Sequence, residues 1–306
     1  MDFQLNLLKS ALAKLRNREV VLRQQIHDIY KIDGLTNYDL HPIYLDPSAF
    51  PNFQDELERY KKLIIDRHAQ GKGAAFYKFG DGDYYFLKGL AHGSAKPGNR
   101  ALSKPLSAIQ LEAFQRNSLN SDFYMCELYP ENAAKFHEVF PTKTIDYLAE
   151  FSYICVASNW FLKNFSNIGV IGAAEKVALI KKLAEKSAYI EALGFDGFTS
   201  YISVPQKFSC DDLDLQLNSL RDQLENSSSE VFLVGMGHLK SGVLGELKKF
   251  KDAIYIDVGS GIDALAGIID TERPYFGGWT NFQLKNYDYA VMDFLGFNGK
   301  NIKYLD

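Results

Sequence analysis

Two aspartates separated by one glycine, Asp81 and Asp83 in FYKFGDGD, follow a short apolar run. Two such carboxylates could share one divalent cation, or one could hold the metal while the other accepts ribose hydroxyls. Mg2+ or Mn2+ suits these hard oxygen donors and would neutralise a diphosphate. Gly80 and Gly82 allow positive φ and leave room for a ligand against the backbone. The plainer reading of the tripeptide is a β-turn with solvated acids. In VIGAAEK, the residues Gly172, Glu175 and Lys176 span a strand end and a helix start, where backbone N–H groups bind phosphate readily. Glu175 and Lys176 read equally well as surface residues of that first turn. FLVGMGHLKSG places Gly237 and His238 at a turn, a better position for a ligand contact than for a core residue. Finally, IDVGSGID puts Asp257 at a strand end, Gly259 and Ser260 in the turn, and Asp263 near the next helix start. Asp263 is there either an N-cap or an acid–base group.

Other chemistries lack their residues. VIGAAEK is not the full G-x-G-x-x-G pattern of a nicotinamide or flavin dinucleotide site. GMGHLKSG has no GK[ST] and is not a P-loop. No G-x-S-x-G elbow supports a serine hydrolase, and no H-x-x-x-H or paired Cys/His suggests zinc. Cys126, Cys155 and Cys210 are odd in number and far apart, so they read as reduced thiols.

These motifs need a scaffold that brings strand ends together. GAAFYKFGDGD is a short apolar run ending in a glycine-punctuated turn, and further strand-like runs occur at Phe123–Leu128, Tyr153–Ala157, Asn167–Gly172, Tyr201–Val204, Val231–Gly235 and Ala253–Val258. Helical patterns fall at Ala173–Glu185, Asp211–Glu225 and Leu239–Phe250. Strand and helix alternate at βαβ length, and the strands are apolar throughout. That pattern predicts an α/β fold: a Rossmann-like, mostly parallel sheet covered by helices on both faces. Ligands bind such sheets beyond the carboxyl ends of the strands, where all four motifs fall. Residues 1–70 read as an N-terminal helical extension and linker, with one long helix over 2–31 and another over 54–70. Residues 71–306 read as the catalytic domain with an aromatic C-terminal tail. The long N-terminal helix could pack on the body or join two subunits. In the tail, Tyr275, Phe276, Trp279 and Phe282 surround Gly277 and Gly278. They either pin the tail to the body or close over a bound ligand.

Composition excludes several classes. With 46% hydrophobic and 14% aromatic residues in 306, the chain is a globular protein rather than a disordered one. No apolar stretch reaches the roughly 20 residues that span a bilayer, and the N-terminus lacks a secretory signal, so a cytoplasmic address is expected. The formal charge of −4 excludes a generally basic nucleic-acid binder. Residues 1–116 nevertheless carry 17 Lys and Arg against 13 Asp and Glu. Within them, Arg59–Arg116 holds 11 basic residues interleaved with Tyr77, Tyr84, Tyr85 and Phe86, which could serve stacking and phosphate contacts on DNA or simply fill a core.

FGDGD after a strand, the middle strand–glycine–helix unit, VFLVGMG and YIDVGSGID together resemble the glycosyltransferases of the GT-D fold. That bacterial domain family has a signature like R-F-G-D-G-E. The resemblance covers roughly residues 73–270. It implies that Asp81 and Asp83 bind a metal and the sugar nucleotide. Lys78 falls where the family usually has Arg, and Asp83 where it often has Glu, so charge is kept at both. The family's histidine in the late I-D-x-G block is absent here. The resemblance implies a metal-dependent glycosyltransferase using Mn2+ or Mg2+ that moves a sugar from a nucleotide sugar, a UDP-sugar by preference. The acceptor would be a hydroxyl on a glycan, a glycoprotein or a hydroxymethylated base of phage DNA. Lys78, Lys176 and the backbone around Gly172 would add phosphate contacts; in an inverting reaction Asp263 or Asp257 would be the base, whereas a retaining one needs none. The alternatives are a non-catalytic nucleotide-binding module, which does not need both aspartates, and a methyltransferase, which needs no metal.

Overall fold

The structure, a computed structural model, describes residues 53–90, 101–127, 130–271, 275–276, 278–289 and 299–306. The helix expected over 2–31, and any assembly through it, lie outside the described residues. Helix α1 (Phe53–Ala69) leads into strand β1 (Ala74–Phe79), followed by α2 (Asp81–Leu87), α3 (Ala108–Ser118) and β2 (Phe123–Cys126). Next come α4 (Pro130–Val139), β3 (Tyr147–Leu148), α5 (Ala149–Ala157), α6 (Trp160–Asn164), β4 (Ile168–Ala173) and α7 (Ala174–Ala184). The chain continues through α8 (Ser187–Leu193), β5 (Ser200–Val204), α9 (Leu213–Glu225), β6 (Val231–Gly235), α10 (Lys240–Val243), β7 (Ile254–Asp257) and α11 (Gly261–Leu265). A parallel pair, β8 (Asn281–Leu284) and β9 (Ile302–Leu305), closes it.

The first seven strands form one sheet in the order β3-β2-β1-β7-β6-β4-β5, and every pairing in it is parallel. This is the Rossmann-like, doubly covered sheet expected from the sequence. Strand β1 shows why continuous apolar runs were needed, since all six of its residues are buried. Ala74 and Phe76 face one core with Leu57 and Tyr60 of α1 and Phe151 of α5. Ala75, Tyr77 and Phe79 face the other, with Phe114 of α3 and Phe136 of α4. Local signals set the helix starts: Ser107 accepts from the Gln110 backbone N–H while the Gln110 side chain accepts from Ser107, a capping box ahead of α3. Asp212 likewise caps α9 by accepting from Leu215 N–H at 2.9 Å.

The connection after β1 enters the core of Phe86 and Phe114, whereas the one after β7 enters the opposite core through Ile262 and Leu265. Adjacent strands that exit to opposite faces open a crevice at their carboxyl ends, the usual ligand site of such sheets.

Two elements differ from expectation. The run Tyr153–Ala157 belongs to helix α5, whose residues Phe151, Ile154, Cys155 and Val156 are all buried. An uninterrupted apolar run carries no period, so a buried helix and a strand look alike there. The segment 239–250 is only briefly α-helical, with 3-10 turns at Gly237–Leu239 and Leu244–Lys249. It presses on α3 and the turn after it, where a Cβ at Gly242 would lie 2.7 Å from Phe114 and one at Gly245 would lie 2.5 Å from the Asn120 backbone. Helix α1, expected over 54–70, is present and packs Leu57, Tyr60 and Ile64 into the sheet's core.

The aromatic tail is packing. Tyr275, Phe276, Trp279 and Phe282 are all buried in that core, and Trp279 Nε1–H donates to the Ala264 carbonyl at 3.0 Å. Tyr77 and Phe86, considered above for base stacking, are buried as well.

Candidate functional site

Six strand ends (β2, β1, β7, β6, β4 and β5) open into one cleft of about 450 Å3. The loop after β1 contributes Gly80, Asp81, Gly82 and Asp83, and the last turn of β1 contributes Lys78. The loop after β6 supplies Gly237 and His238, and the end of β7 supplies Asp257, Gly259, Ser260 and Asp263. Lys176 reaches in from the first turn of α7. Gly172 and Glu175 are not among the lining residues. Gly172 lies within β4, where a Cβ would sit 3.3 Å from both Gly235 O and Ile262 Cγ2, so its smallness serves packing.

The two motif aspartates do different work. Asp81 is the first residue of α2 and is exposed, with Oδ1 accepting its neighbour's Gly82 N–H at 2.7 Å. Asp83 is buried, and its Oδ2 accepts the Gly80 N–H at 2.9 Å. The same oxygen lies 3.0 Å from the Lys240 ammonium. Gly80 is extended, at φ −131, and neither it nor Gly82 has positive φ. Gly82 instead makes room, since a Cβ there would lie 3.1 Å from His238 Cε1. The left-handed glycines of the site are Gly237 (φ +55) and Gly259 (φ +49). A Cβ on Gly259 would strike Lys78 Cε at 2.8 Å, so that glycine shapes the channel for the lysine stem.

Lys240, which no sequence motif singled out, organises the crevice. Its buried ammonium donates to Asp257 Oδ2 at 2.7 Å and to the Lys78 carbonyl, besides pairing with Asp83. One cation therefore ties β1, β7 and the start of α2 together. Asp257 also accepts the Lys78 N–H at 3.2 Å and the Gly259 N–H at 3.0 Å. With these three partners Asp257 is an anchor, poorly placed to serve as the acceptor's base. Asp263 lies inside α11 and is not its N-cap, a place taken by Ser260. Its carboxylate is partly exposed and pairs with Lys176 at 2.5 Å.

Lys78 points to the opposite side of β1 from Lys240. Its ammonium sits 3.9 Å from Glu127 Oε1 and 5.4 Å from the centre of the Tyr153 ring. Burial opposes its charge, but Tyr153, Glu127, Asp257 and Asp83 outweigh burial and hold the ammonium well above the usual lysine range. His238 stacks on Phe86, with ring centres 4.9 Å apart and planes within 2°. Burial, aided by Lys240, pushes its imidazole below the ordinary histidine value against the pull of Asp83 and Asp81. Neutral histidine is thus the form that faces a ligand at pH 7. Glu127 and Tyr153 were also missed by sequence reasoning: each is an ordinary residue until the fold sets it beside Lys78.

Five lining carboxylates (Asp81, Asp83, Glu127, Asp257, Asp263) face three ammonium groups (Lys78, Lys176, Lys240). An incoming diphosphate would meet net negative charge, which a divalent cation would offset. Asp81 suits such an ion through its exposed carboxylate, with Asp83 beside it. Among the described residues no three His, Cys, Asp or Glu side chains gather to hold a metal. A cation here would fill its shell with substrate oxygens and water, as Mg2+ commonly does. Also among the described residues, no helix is long and apolar enough to cross a membrane.

No family model matches the sequence, and no curated protein matches it. Among solved structures, the chain is similar to a glycosyltransferase (DUF1792) from Streptococcus sanguinis at 12% identity and TM-score 0.45, over 80% of this chain and 92% of that one. It is similar to a selenomethionine-substituted structure of domain of unknown function 1792 at 14% identity and TM-score 0.46, over 81% and 93%. A third structure, of the same domain and described as having a distinct glycosyltransferase fold, gives 12% identity and TM-score 0.46, over 82% and 90%.

Proposed function

We propose that this chain is a glycosyltransferase that moves a sugar from a nucleoside diphosphate sugar, a UDP-sugar, to an acceptor hydroxyl on a glycan or glycoprotein. The observation that carries this reading is convergence. FGDGD, VGMGH and DVGSGID lie far apart in the chain, resemble one glycosyltransferase family together, and line one cleft at the carboxyl edge of the sheet. The cleft also supplies what departure of a diphosphate demands, fixed positive charge next to carboxylates able to take a divalent cation.

Asp81, with Asp83 beside it, would hold Mn2+ or Mg2+, which when bound neutralises the departing diphosphate. Lys78 is the fixed cation of the β1 side. Lys176 is the exchangeable one, because its partner Asp263 competes with phosphate for the same ammonium. When Lys176 turns to the donor, the Asp263 carboxylate is freed, and we assign it the role of accepting the acceptor hydroxyl's proton in an inverting reaction. Asp257 holds the backbone at Lys78 and Gly259 and keeps Lys240 in place. DNA is not the acceptor favoured, because Tyr77 and Phe86 of the proposed stacking set are internal.

The test is release of nucleoside diphosphate from a panel of UDP-, GDP- and CDP-sugars, with Mn2+, Mg2+ or EDTA present. Metal-dependent release from a UDP-sugar, lost in Asp81→Asn, is expected. Binding of S-adenosylmethionine in its place would point to the methyltransferase alternative and overturn the proposal.

A further inference from the structure

The helices that follow β1 and β2 both begin at the cleft and meet beside it. In α2, Asp81 lines the cleft, and Tyr84 and Tyr85 follow it at three and four residues, on the same face of the helix. In α4, Asn132 donates to Oε2 of the cleft residue Glu127 at 3.1 Å, and Lys135 lies three residues further on. The two helices thus gather a pair of tyrosines and a lysine one turn away from the cleft's rim, roughly 5.4 Å along each axis.

This patch is fixed in place. Tyr84 OH donates to Glu138 Oε2 at 2.9 Å, and Lys88 lies 3.9 Å from the same oxygen. The Tyr84 and Tyr85 rings meet edge to face with centres 5.3 Å apart. The Lys135 ammonium sits 5.8 Å from the centre of the Tyr84 ring and 5.4 Å from that of Tyr85, where cation–π attraction holds it. Glu138 offsets Lys88, whereas among the described residues Lys135 pairs with no carboxylate. Tyr84, Tyr85 and Lys135 are each half-buried, packed enough to be ordered and open enough to meet a ligand.

Aromatic rings beside an ammonium without a counterion suit a sugar that carries an acidic group. Its C–H surface lies on the tyrosines, and its anion gains a charge-assisted hydrogen bond from Lys135. A nucleic-acid strand fits less well, because rings inclined at 80° to one another are not the parallel platforms on which successive bases stack.

We propose that Tyr84, Tyr85 and Lys135 form an acceptor subsite for an acidic sugar, the unit next to the one that is glycosylated in the cleft. This rests on the glycosyltransferase reading above and adds the charge of the acceptor to it: a glycan bearing carboxylate or phosphate groups. Lys135 is then a specificity residue, and the tyrosines bind the ring whatever its charge.

The test is calorimetric titration of galactotriose, trigalacturonate and galactotriose phosphorylated at one O6, with hexathymidylate as a second polyanion, in the presence of UDP and Mn2+. The wild type should bind one or both acidic sugars about fivefold more tightly than the neutral one, the upper range of an exposed ion pair; the tighter of the two identifies the acid. Lys135→Gln should abolish that preference and leave galactotriose binding unchanged. Tyr85→Ala should weaken all three sugars by a similar factor. Both variants should bind UDP as the wild type does and melt within about 2 °C of it, since both changes lie at the surface. Equal binding of acidic and neutral sugars by the wild type, binding of none of them, or a preference that survives Lys135→Gln overturns the subsite. So does hexathymidylate binding more tightly than the acidic sugars and weakening in both variants, which would make the patch a nucleic-acid surface. UDP binding separates the two readings: retained without any acid preference, it refutes this subsite alone, and its absence from the wild type refutes the glycosyltransferase reading and the acceptor subsite with it.

Discussion

Replacing Lys240 by Met keeps most of the side-chain volume and removes the ammonium that bridges Asp83, Asp257 and the Lys78 carbonyl. All three side chains of this cluster are at least 90% buried, with exposures of 6% for Lys240, 5% for Asp83 and 1% for Asp257. The variant leaves two buried carboxylates with no shared cation. Breaking a buried ion pair by removing one partner costs about 3–5 kcal/mol. For a domain of this size that corresponds to a fall in Tm of roughly 10 °C, within the 5–15 kcal/mol typical of a folded domain. Urea unfolding at pH 7.5 would measure it, followed by the double variant Lys240→Met with Asp83→Asn. An asparagine at 83 can still accept the Gly80 N–H but removes one of the two opposed charges. The double variant should therefore be more stable than Lys240→Met alone, although Asp83→Asn alone destabilises the wild type. A loss under about 1 kcal/mol for Lys240→Met, the range of an exposed ion pair, would refute the reasoning. So would Asp83→Asn adding to the loss rather than offsetting it.

The motif aspartates should separate in the same way. Asp81→Asn should leave Tm within about 2 °C because its carboxylate is exposed, while abolishing metal-dependent sugar release; Asp83→Asn should lower both. Trp279→Ala should cost about 3–5 kcal/mol in urea unfolding, as a buried aromatic of the core does, with the donor affinity of the folded fraction unchanged. Burial pushes the thiols of Cys126 and Cys210 up to about 12 and raises that of Cys155 as well. Almost no thiolate exists at pH 8 in the native state, so all three should resist a thiol-reactive dye from pH 7 to 9 and react together on unfolding.

What the sequence disclosed followed the range of each interaction. Glycine-punctuated strand ends and continuous apolar strands are local signals, and from them the parallel sheet and half of the cleft's lining could be read. Gly237 and His238 were placed at a turn, Asp257 at a strand end and Asp263 near a helix start, and all four line the cleft. The order of the strands is a long-range property, and no local pattern reveals that β1 pairs with β7 across 179 residues, as their hydrogen bond from Lys78 to Asp257 does. Lys240 escaped notice for the same reason. In HLKSG it is a helix lysine, and only the meeting of β1 and β7 makes it a buried hub. Tyr153 looked like part of a strand because its apolar neighbours had no period, and its place beside Lys78 followed only from the helix. Asp81 and Asp83 looked equivalent in sequence. A helix beginning at Asp81 turns the third residue back onto the backbone at Gly80 and leaves the first exposed.

The central claim is that this cleft binds a nucleoside diphosphate through charge placed at β1 and β7. Calorimetric titration of UDP into the wild type and Asp81→Asn, with Mn2+ and then with EDTA, tests it most directly. Saturable binding that is strong with Mn2+, weak in EDTA and weak in the variant is the expected result. UDP affinity identical in metal and chelator, or unchanged by Asp81→Asn, would contradict it.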